Sequence, residues 1–288
     1  MNSFHYSPPV DKLLTYGDCL ESINSWPEYP QELGLGAEHV PDLIRMVADP
    51  ALRLAESEQL EVWAPIHAWR ALGQLQAEAA IEPLIGLLSD AEEDDWIKEE
   101  LPEVFGLIGP AAIPALSTFL QDKSQDLYSR ATANDGLETI AQHHPEVRDQ
   151  CVAAITQELA SFADNEPDLN GFLVCSLIEL QAVESAPVIE QAFAAKQVDL
   201  MFAGDWDAVQ VELGLKSRDE LPQRAPEFHL NLTDPAYSTR DLLAATVDDQ
   251  GSKSFRGFSS THKDKNKAKQ KMVKESRKQN RTKKKKRK

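Results

Sequence analysis

Paired cysteines are the first thing this chain lacks. Its three, Cys19, Cys151 and Cys175, are odd in number, far apart and never arranged as Cys-x-x-Cys. That excludes a disulfide framework and the common zinc modules, and fits reduced thiols in a cytoplasmic protein. Long apolar runs are missing too. The best, Phe172–Ile178 (FLVCSLI), is stopped by Glu179, so no membrane-spanning segment is expected. The opening MNSFHYSPPVDKLL has no basic stretch followed by an apolar one, so no signal peptide is read there. Segments of alternating polar and apolar residues are absent, which excludes a β architecture. No GxGxxG, P-loop, GxSxG or HExxH occurs, which removes the usual nucleotide, serine-hydrolase and metalloprotease signatures.

Cations are scarce as well, but only in part of the chain. Residues 1–252 carry 13 Lys and Arg against 45 Asp and Glu, a net −32. Residues 253–288 carry 17 cations against Asp264 and Glu275, a net +15. An acidic body with a basic arm follows.

The acidic part repeats. Residues 63–88, 96–120 and 128–159 each open on an aromatic, run as an apolar helical stretch, turn at a polar, Gly or Pro segment, and continue as a second apolar helix. With Leu75, Ile108 and Ile140 aligned, the spacings are 33 and 32 residues; residues 171–193 place Leu180 a further 40 on. A looser copy precedes them, ending in 39–47. Proline recurs near the start of second helices, at Pro41, Pro83, Pro114 and Pro187, where its missing N–H has no intrahelical partner to lose. Two amphipathic helices per repeat predict an all-α fold, an α-solenoid of about five helical hairpins in which stacking completes the core. The predicted divisions are a solenoid over 1–203, a short helix and extended linker over 204–252 with Asp205 as a helix N-cap, and a Lys/Arg-rich tail over 253–288 that cannot bury enough apolar surface to order itself.

The stretches ALGQLQAEAAIEPLI and GLIGPAAIPAL resemble HEAT-like repeats of the subtype also found in phycobilisome lyases, and SWPEYPQELGLGAEHVPDLIRMV resembles the opening of a group of bacterial HEAT-like proteins. The resemblance spans roughly residues 10–203. It implies a protein-binding scaffold, in a family that also includes lyases and adaptors; fold alone does not decide between them.

One stripe stands out. Trp63, Trp96 and Tyr128 share a repeat position; four and seven residues on come His67 and Arg70, Glu100 and Glu103, then Thr132 and Asp135. Aromatics flanked by charge suit protein recognition, so Trp63, His67, Arg70, Trp96, Glu100, Glu103 and Tyr128 are the candidate protein-binding residues. The alternative is that the aromatics seal the joints between repeats while Arg70 pairs with Glu100 or Glu103. The acidic loop SDAEEDDW (89–96) lacks the ligand spacing of a calcium loop and reads as a solvated docking face for something basic, the tail included. His143 and His144 lack partners at metal-ligand spacing and read as a loop pair. Cys175 reads as a core residue; Cys151, opening a helix, is the more reactive candidate.

In the tail, Lys265, Lys267, Lys269, Lys271, Lys274, Arg277, Lys278, Arg281, Lys283, Lys284, Lys285, Lys286, Arg287 and Lys288 are the candidate polyanion-binding residues. Lys/Arg contacts with phosphates need no fixed geometry, which makes RNA or the ribosome the expected polyanion. The composite expectation is a cytoplasmic, monomeric, non-catalytic adaptor without cofactor or metal, binding a protein through the solenoid and a polyanion through the tail. The alternatives are a bilin lyase-like enzyme or lyase subunit, and a structural monomer whose tail docks on its own acidic body.

Overall fold

The computed structural model describes residues 5–19, 25–53 and 59–221, and among these there is helix and no strand. The helices, in chain order, are α1 (Tyr29–Leu33), α2 (Val40–Val47), α3 (Pro50–Arg53), α4 (Ala64–Gln74), α5 (Ile81–Leu88), α6 (Asp95–Ile108), α7 (Ile113–Gln121), α8 (Leu127–His143), α9 (Arg148–Leu159), α10 (Pro167–Glu179), α11 (Ala186–Ala194), α12 (Leu200–Ala203) and α13 (Trp206–Glu212). No single helix among the described residues is long and apolar enough to cross a membrane.

Each second helix is entered through one turn of 3-10 helix: Ala37–His39, Glu78–Ala80, Pro110–Ala112, Pro145–Val147 and Val183–Ser185. The prolines read from sequence sit where they cost least. Pro41, Pro114 and Pro187 occupy the first turns of α2, α7 and α11, and Pro83 is the third residue of α5.

The ends of the first helices follow a local rule. After α4 the chain passes through Gln76 at φ 50°. The Ala77 N–H then bonds to the Leu72 carbonyl (3.0 Å) and the Gln76 N–H to that of Gly73 (2.8 Å). The same pair of bonds recurs after α10, around Gln181 at φ 50°, from Ala182 to Leu177 (2.9 Å) and from Gln181 to Ile178 (2.8 Å). This left-handed stop satisfies the last carbonyls of the helix, and its recurrence sets the same hairpin geometry in both repeats. After α6 the turn is made at a glycine. The chain bends by 115° between Asp95–Ile108 and the segment Pro110–Gln121. Gly109, at φ 90° and ψ −154°, supplies a conformation closed to residues with a Cβ. Any Cβ there would also lie 2.9 Å from the His144 ring.

The first helices α4, α6, α8 and α10 stack side by side, as do the second helices α5, α7, α9 and α11. Each second helix also leans on the first helix of the next hairpin: α2 on α4, α5 on α6, α7 on α8, α9 on α10. The first-helix layer is the tighter. A Cβ on Gly73 would come within 3.3 Å of the Val104 backbone, and one on Gly106 within 2.7 Å of the Thr139 methyl. We term the side of this layer that faces away from the second helices the inner face. Down the middle runs one continuous core, from Val10 and Leu13 through Leu72, Leu101, Leu137 and Leu173 to Val209.

One departure from the sequence-based expectation lies at the N-terminal end, where the first copy has no regular first helix: Val10–Thr15 is a 3-10 segment. At the other end the short helix expected after residue 203 is present as α13. α12 lies on α10 and α13 on α11, with Phe193 and Trp206 ring centroids 6.0 Å apart. Asp205 caps α13 by accepting from the Ala208 N–H (2.9 Å). The predicted tail over 253–288, and the linker beyond residue 221, lie outside the described residues.

Candidate functional site: an acidic inner face

The aromatic and charged stripe divides in two. Its N-terminal members are inside the protein. Trp63, His67, Arg70 and Glu100 are all buried, so they cannot present a recognition surface; this corrects the expectation for those four residues. Arg70 on α4 and Glu100 on α6 form a two-point ion pair, Nε to Oε2 at 2.7 Å and a terminal nitrogen to Oε1 at 2.5 Å. The Trp69 indole N–H donates to the same carboxylate (3.1 Å), and the guanidinium stacks 5.1 Å from the Trp26 ring centroid. Burial opposes the Arg70 charge, but the bond to Glu100 outweighs it and holds the guanidinium firmly protonated. Trp63 meets Trp96 edge-to-face, centroids 5.5 Å apart at 82°, a geometry worth about 0.5–1.5 kcal/mol beyond the buried area. This joint binds repeat to repeat.

His67 completes the lock on the N-terminal segment. Its Nε2–H donates to the Gly17 carbonyl (3.1 Å), so Nδ1 is the acceptor for the Tyr29 hydroxyl (2.6 Å). Burial, opposed by the Gly17 bond and reinforced by nearby Arg70, lowers its pKa to about 4, and the ring is neutral. Cys19 Sγ lies 3.5 Å from Nε2, in an environment that burial makes hostile to a thiolate. This is not an activated Cys–His pair.

The C-terminal members stay in contact with solvent. Trp96 is half-buried and Tyr128 is 37% exposed; the Lys98 ammonium sits 5.4 Å above the Tyr128 ring. Glu103 reaches His143 (3.5 Å) rather than Arg70. The other histidine, His144, donates from Nε2 to the Gly106 carbonyl (3.0 Å), so this pair ties α8 to α6. Among the described residues no group of three or more His, Cys, Asp or Glu is placed to hold a metal ion.

Around Asp135, two turns on from Tyr128 in α8, the inner face becomes strongly acidic. Asp135 and Glu138 on α8 stand with Glu99 on α6 and Glu179 on α10. Asp135 is open to water, yet the neighbouring helices crowd it so closely that its charge is poorly hydrated. That crowding, with the Glu138 and Glu99 carboxylates behind it, pushes the Asp135 carboxyl up to about 7; a hydrogen bond from Asn134 opposes the shift only partly. Cys175 on α10, half-buried, senses the same field. Burial and then Glu138, Glu179 and Asp135 raise its thiol to about 12. No cation among the described residues pairs with Asp135 or Glu179. Behind the carboxylates runs a chain of polar bonds: Asn134 Nδ2 donates to Ser176 Oγ (2.7 Å), whose hydroxyl donates to Glu138 Oε2 (2.6 Å). The Asn134 Oδ1, fully buried, has no hydrogen-bond partner, which is an expensive thing to leave in a core.

Two other expectations change. Cys151 is the fourth residue of α9, wholly buried, and burial raises its thiol to about 11; the helix start does not activate it. In the 89–96 loop three carboxylates are already employed. Asp90 pairs with Arg53 (2.7 Å), Asp94 caps α6 by accepting from the Trp96 N–H (3.0 Å), and Asp95 pairs with Lys98 (2.7 Å). That leaves a much weaker docking face than the count of five suggests. Glu99, Glu138 and Glu179 were not singled out by sequence. Asp135 was visible as the third member of the Arg70–Glu103 register, but nothing in the spacing shows that three helices bring carboxylates together there.

Residues 67–90, from within α4 through α5 to the following loop, match the family model of the PBS lyase HEAT-like repeat. That segment is a HEAT-like repeat. The matched HEAT-like segment contains the left-handed stop at Gln76, which recurs after α10, and the 3-10 entry to α5, which recurs in each later hairpin. No curated protein and no solved structure matches the chain.

Proposed function

We propose that this protein is a non-catalytic scaffold whose inner face binds a cationic partner segment, with the basic tail engaging a polyanion. The observation that carries the first half is the gathering of Glu99, Asp135, Glu138 and Glu179 on one face with a carboxyl held near pH 7 and no cation on Asp135 or Glu179. Like charges brought together in this way cost stability unless a ligand repays them, and a Lys or Arg side chain of a partner does so directly. The half-buried Trp96 and exposed Tyr128 on the same layer offer flat apolar surface beside that charge, a combination suited to aliphatic stems of basic residues.

The second half rests on the charge split between body and tail. RNA or ribosomal RNA is the polyanion that a run of lysines engages without sequence readout. The repeat match is compatible with a lyase subunit as well, but the three thiols all sit where burial raises them, which favours the binding reading over covalent chemistry on this chain.

The test is fluorescence anisotropy with a labelled oligolysine peptide at pH 8. The triple variant Asp135→Asn/Glu138→Gln/Glu179→Gln should bind at least roughly tenfold more weakly than the unmodified chain, a loss of about 1.4 kcal/mol. Equal affinity would overturn the reading. For the tail, binding of a labelled RNA by the full chain should fall steeply between 50 and 200 mM salt, by on the order of 10³-fold or more if six or more phosphates are neutralised.

A further inference from the structure

We propose that α12 is a proton-dependent cap on the end of the first-helix layer, latched to α10 by a carboxyl–carboxylate contact between Asp168 and Asp199. Asp168 is the second residue of α10 and Glu179 its last, so the latch lies at the far end of that helix from the acidic face. It stands or falls independently of the reading of that face.

The geometry comes first. In the stack α12 takes the place of a further first helix, cut to four residues: Asp199 caps its start by accepting from the Met201 N–H (2.8 Å), and Gly204, at φ 73°, ends it. Three contacts fasten it to α10. The Asp199 N–H donates to the Pro167 carbonyl (3.0 Å). The buried Asn170 amide donates to the Gln197 carbonyl (2.6 Å), just ahead of the cap. The Phe202 ring lies against Phe172, centroids 4.4 Å apart, and over Gly171, where a Cβ would come within 3.1 Å of it. Gly171 is thus the seat of α12. These contacts bring Asp168, the neighbour of Pro167, up to Asp199, and the two carboxyl groups hydrogen-bond to each other.

Two ionised carboxylates have no donor between them, so this contact exists only while one of them carries a proton. Asp199 is occupied as an acceptor for the helix cap, a task that a carboxylate performs best. The proton therefore sits on Asp168, whose O–H donates. The charges around it oppose its loss. Asp199 faces it from α12 and Glu166 from the start of its own helix. Arg130 on α8 lies 3.8 Å from Glu166, but it is bonded to Glu158 of α9 and to Asn165. Among the described residues neither Asp168 nor Asp199 forms an ion pair. Burial, then Asp199, then Glu166 hold the Asp168 carboxyl above its ordinary 3.8. The docked state thus keeps a proton that the free segment gives up. Docking is at full strength below that ordinary value and weakens as pH rises through the raised one. Once the proton is gone, two like charges oppose the Asn170, Asp199 N–H and Phe202 contacts. Release of α12 uncovers Gly171 and Phe172, the side of α10 that faces onward along the stack. Solenoids need their ends covered; here the cover is set by pH.

Amide hydrogen exchange on the full-length chain between pH 4 and pH 8, corrected for the intrinsic exchange rate and read by mass spectrometry, tests it. Protection of α12 should fall relative to that of α11 as pH rises, by up to roughly tenfold per pH unit over the range in which Asp168 loses its proton. Asp168→Asn puts an N–H where the proton was, at every pH. Its α12 protection should be flat across the range and exceed that of the unmodified chain at pH 8. Asp199→Asn removes the other charge and still caps a helix, so it should also give a flat profile, and it decides the matter if Asp168→Asn does not fold. Asp168→Ala lacks the donor and should be flat but less protected than Asp168→Asn, a difference that a purely structural role for the side chain's volume does not predict. Protection of α12 that does not change with pH in the unmodified chain overturns the proposal. So does a pH dependence that survives in the asparagine variants, or a fall shared equally by α11, which would mark unfolding of the whole end of the stack.

Discussion

The α4–α6 joint and the α6–α8–α10 face use the same repeat position for opposite ends. Arg70, Glu103 and Asp135 occupy equivalent places in successive first helices. At the first joint Arg70 turns inward, finds Glu100 on the next helix, and disappears from solvent with its charge matched. Two repeats later Asp135 faces other carboxylates and retains its exposure to water. A repeat protein can place one register position in the core of one joint and on the working surface of another, because each hairpin contacts only its neighbours and each joint is solved separately. The lesson concerns charge balance. Inside the protein an ion is tolerated when its partner is built in; on the inner face Asp135 and Glu179 meet no cation among the described residues.

That contrast is most easily broken at the joint. Arg70→Ala leaves Glu100 buried without its cation and should cost about 3–5 kcal/mol in denaturant unfolding. Arg70→Met/Glu100→Leu, which removes both charges at similar volume, should recover most of it. If the single and double variants were equally unstable, the pair would not be the element that holds the joint. The aromatics grade in the same direction. Trp63→Ala removes a buried ring and should cost about 3–5 kcal/mol. Trp96→Ala, at a half-buried position, should cost less, and Tyr128→Ala should stay within about 0.5–1 kcal/mol, the scale of an exposed cation–π contact. Thermal or chemical melts of the three, ranked in any other order, would contradict the division of the stripe into joint and surface.

How far this division was legible beforehand depends on the residue. The helical hairpins follow from apolar spacing and from prolines at helix starts, both local properties, and they stand where the periodicity put them. The N-terminal copy was harder because Val10–Thr15 forms a 3-10 segment held by tertiary contacts of Val10 and Leu13, and no spacing rule encodes those. The stripe was readable as a register; which of its members turn inward was not, since Arg70 is buried only because Glu100 stands on the next helix to receive it. The carboxylates of 89–96 look free in sequence because a helix cap and two ion pairs are formed with residues that spacing does not bring together. The acidic face escaped for the same reason: Glu99, Glu138 and Glu179 come from three helices.

The face can be probed more gently by pH. Its raised Asp135 carboxyl titrates near 7 in the folded protein and near the ordinary 3.8 when unfolded. Between those values the folded state holds a proton that the unfolded state has released, so this group's contribution to stability is full below about pH 4 and is lost as pH rises through 7. Asp135→Asn should therefore leave stability unchanged near pH 4 and raise it at pH 8, by less than about 1 kcal/mol because the side chain keeps contact with water. Urea unfolding at the two pH values checks it; a destabilised variant at pH 8 would mean that Asp135 has a built-in partner after all.

The most direct measurement is the titration of the Asp135 carboxyl itself, by carbon NMR on aspartate-labelled, full-length protein whose tail cations are replaced by glutamine, with Asp135→Asn supplying the assignment. An acidic face with no cation on Asp135 predicts a midpoint near 7 in this chain and a clear fall when oligolysine is added at saturation. A midpoint near the usual value of about 3.9, unmoved by the peptide, would contradict the account.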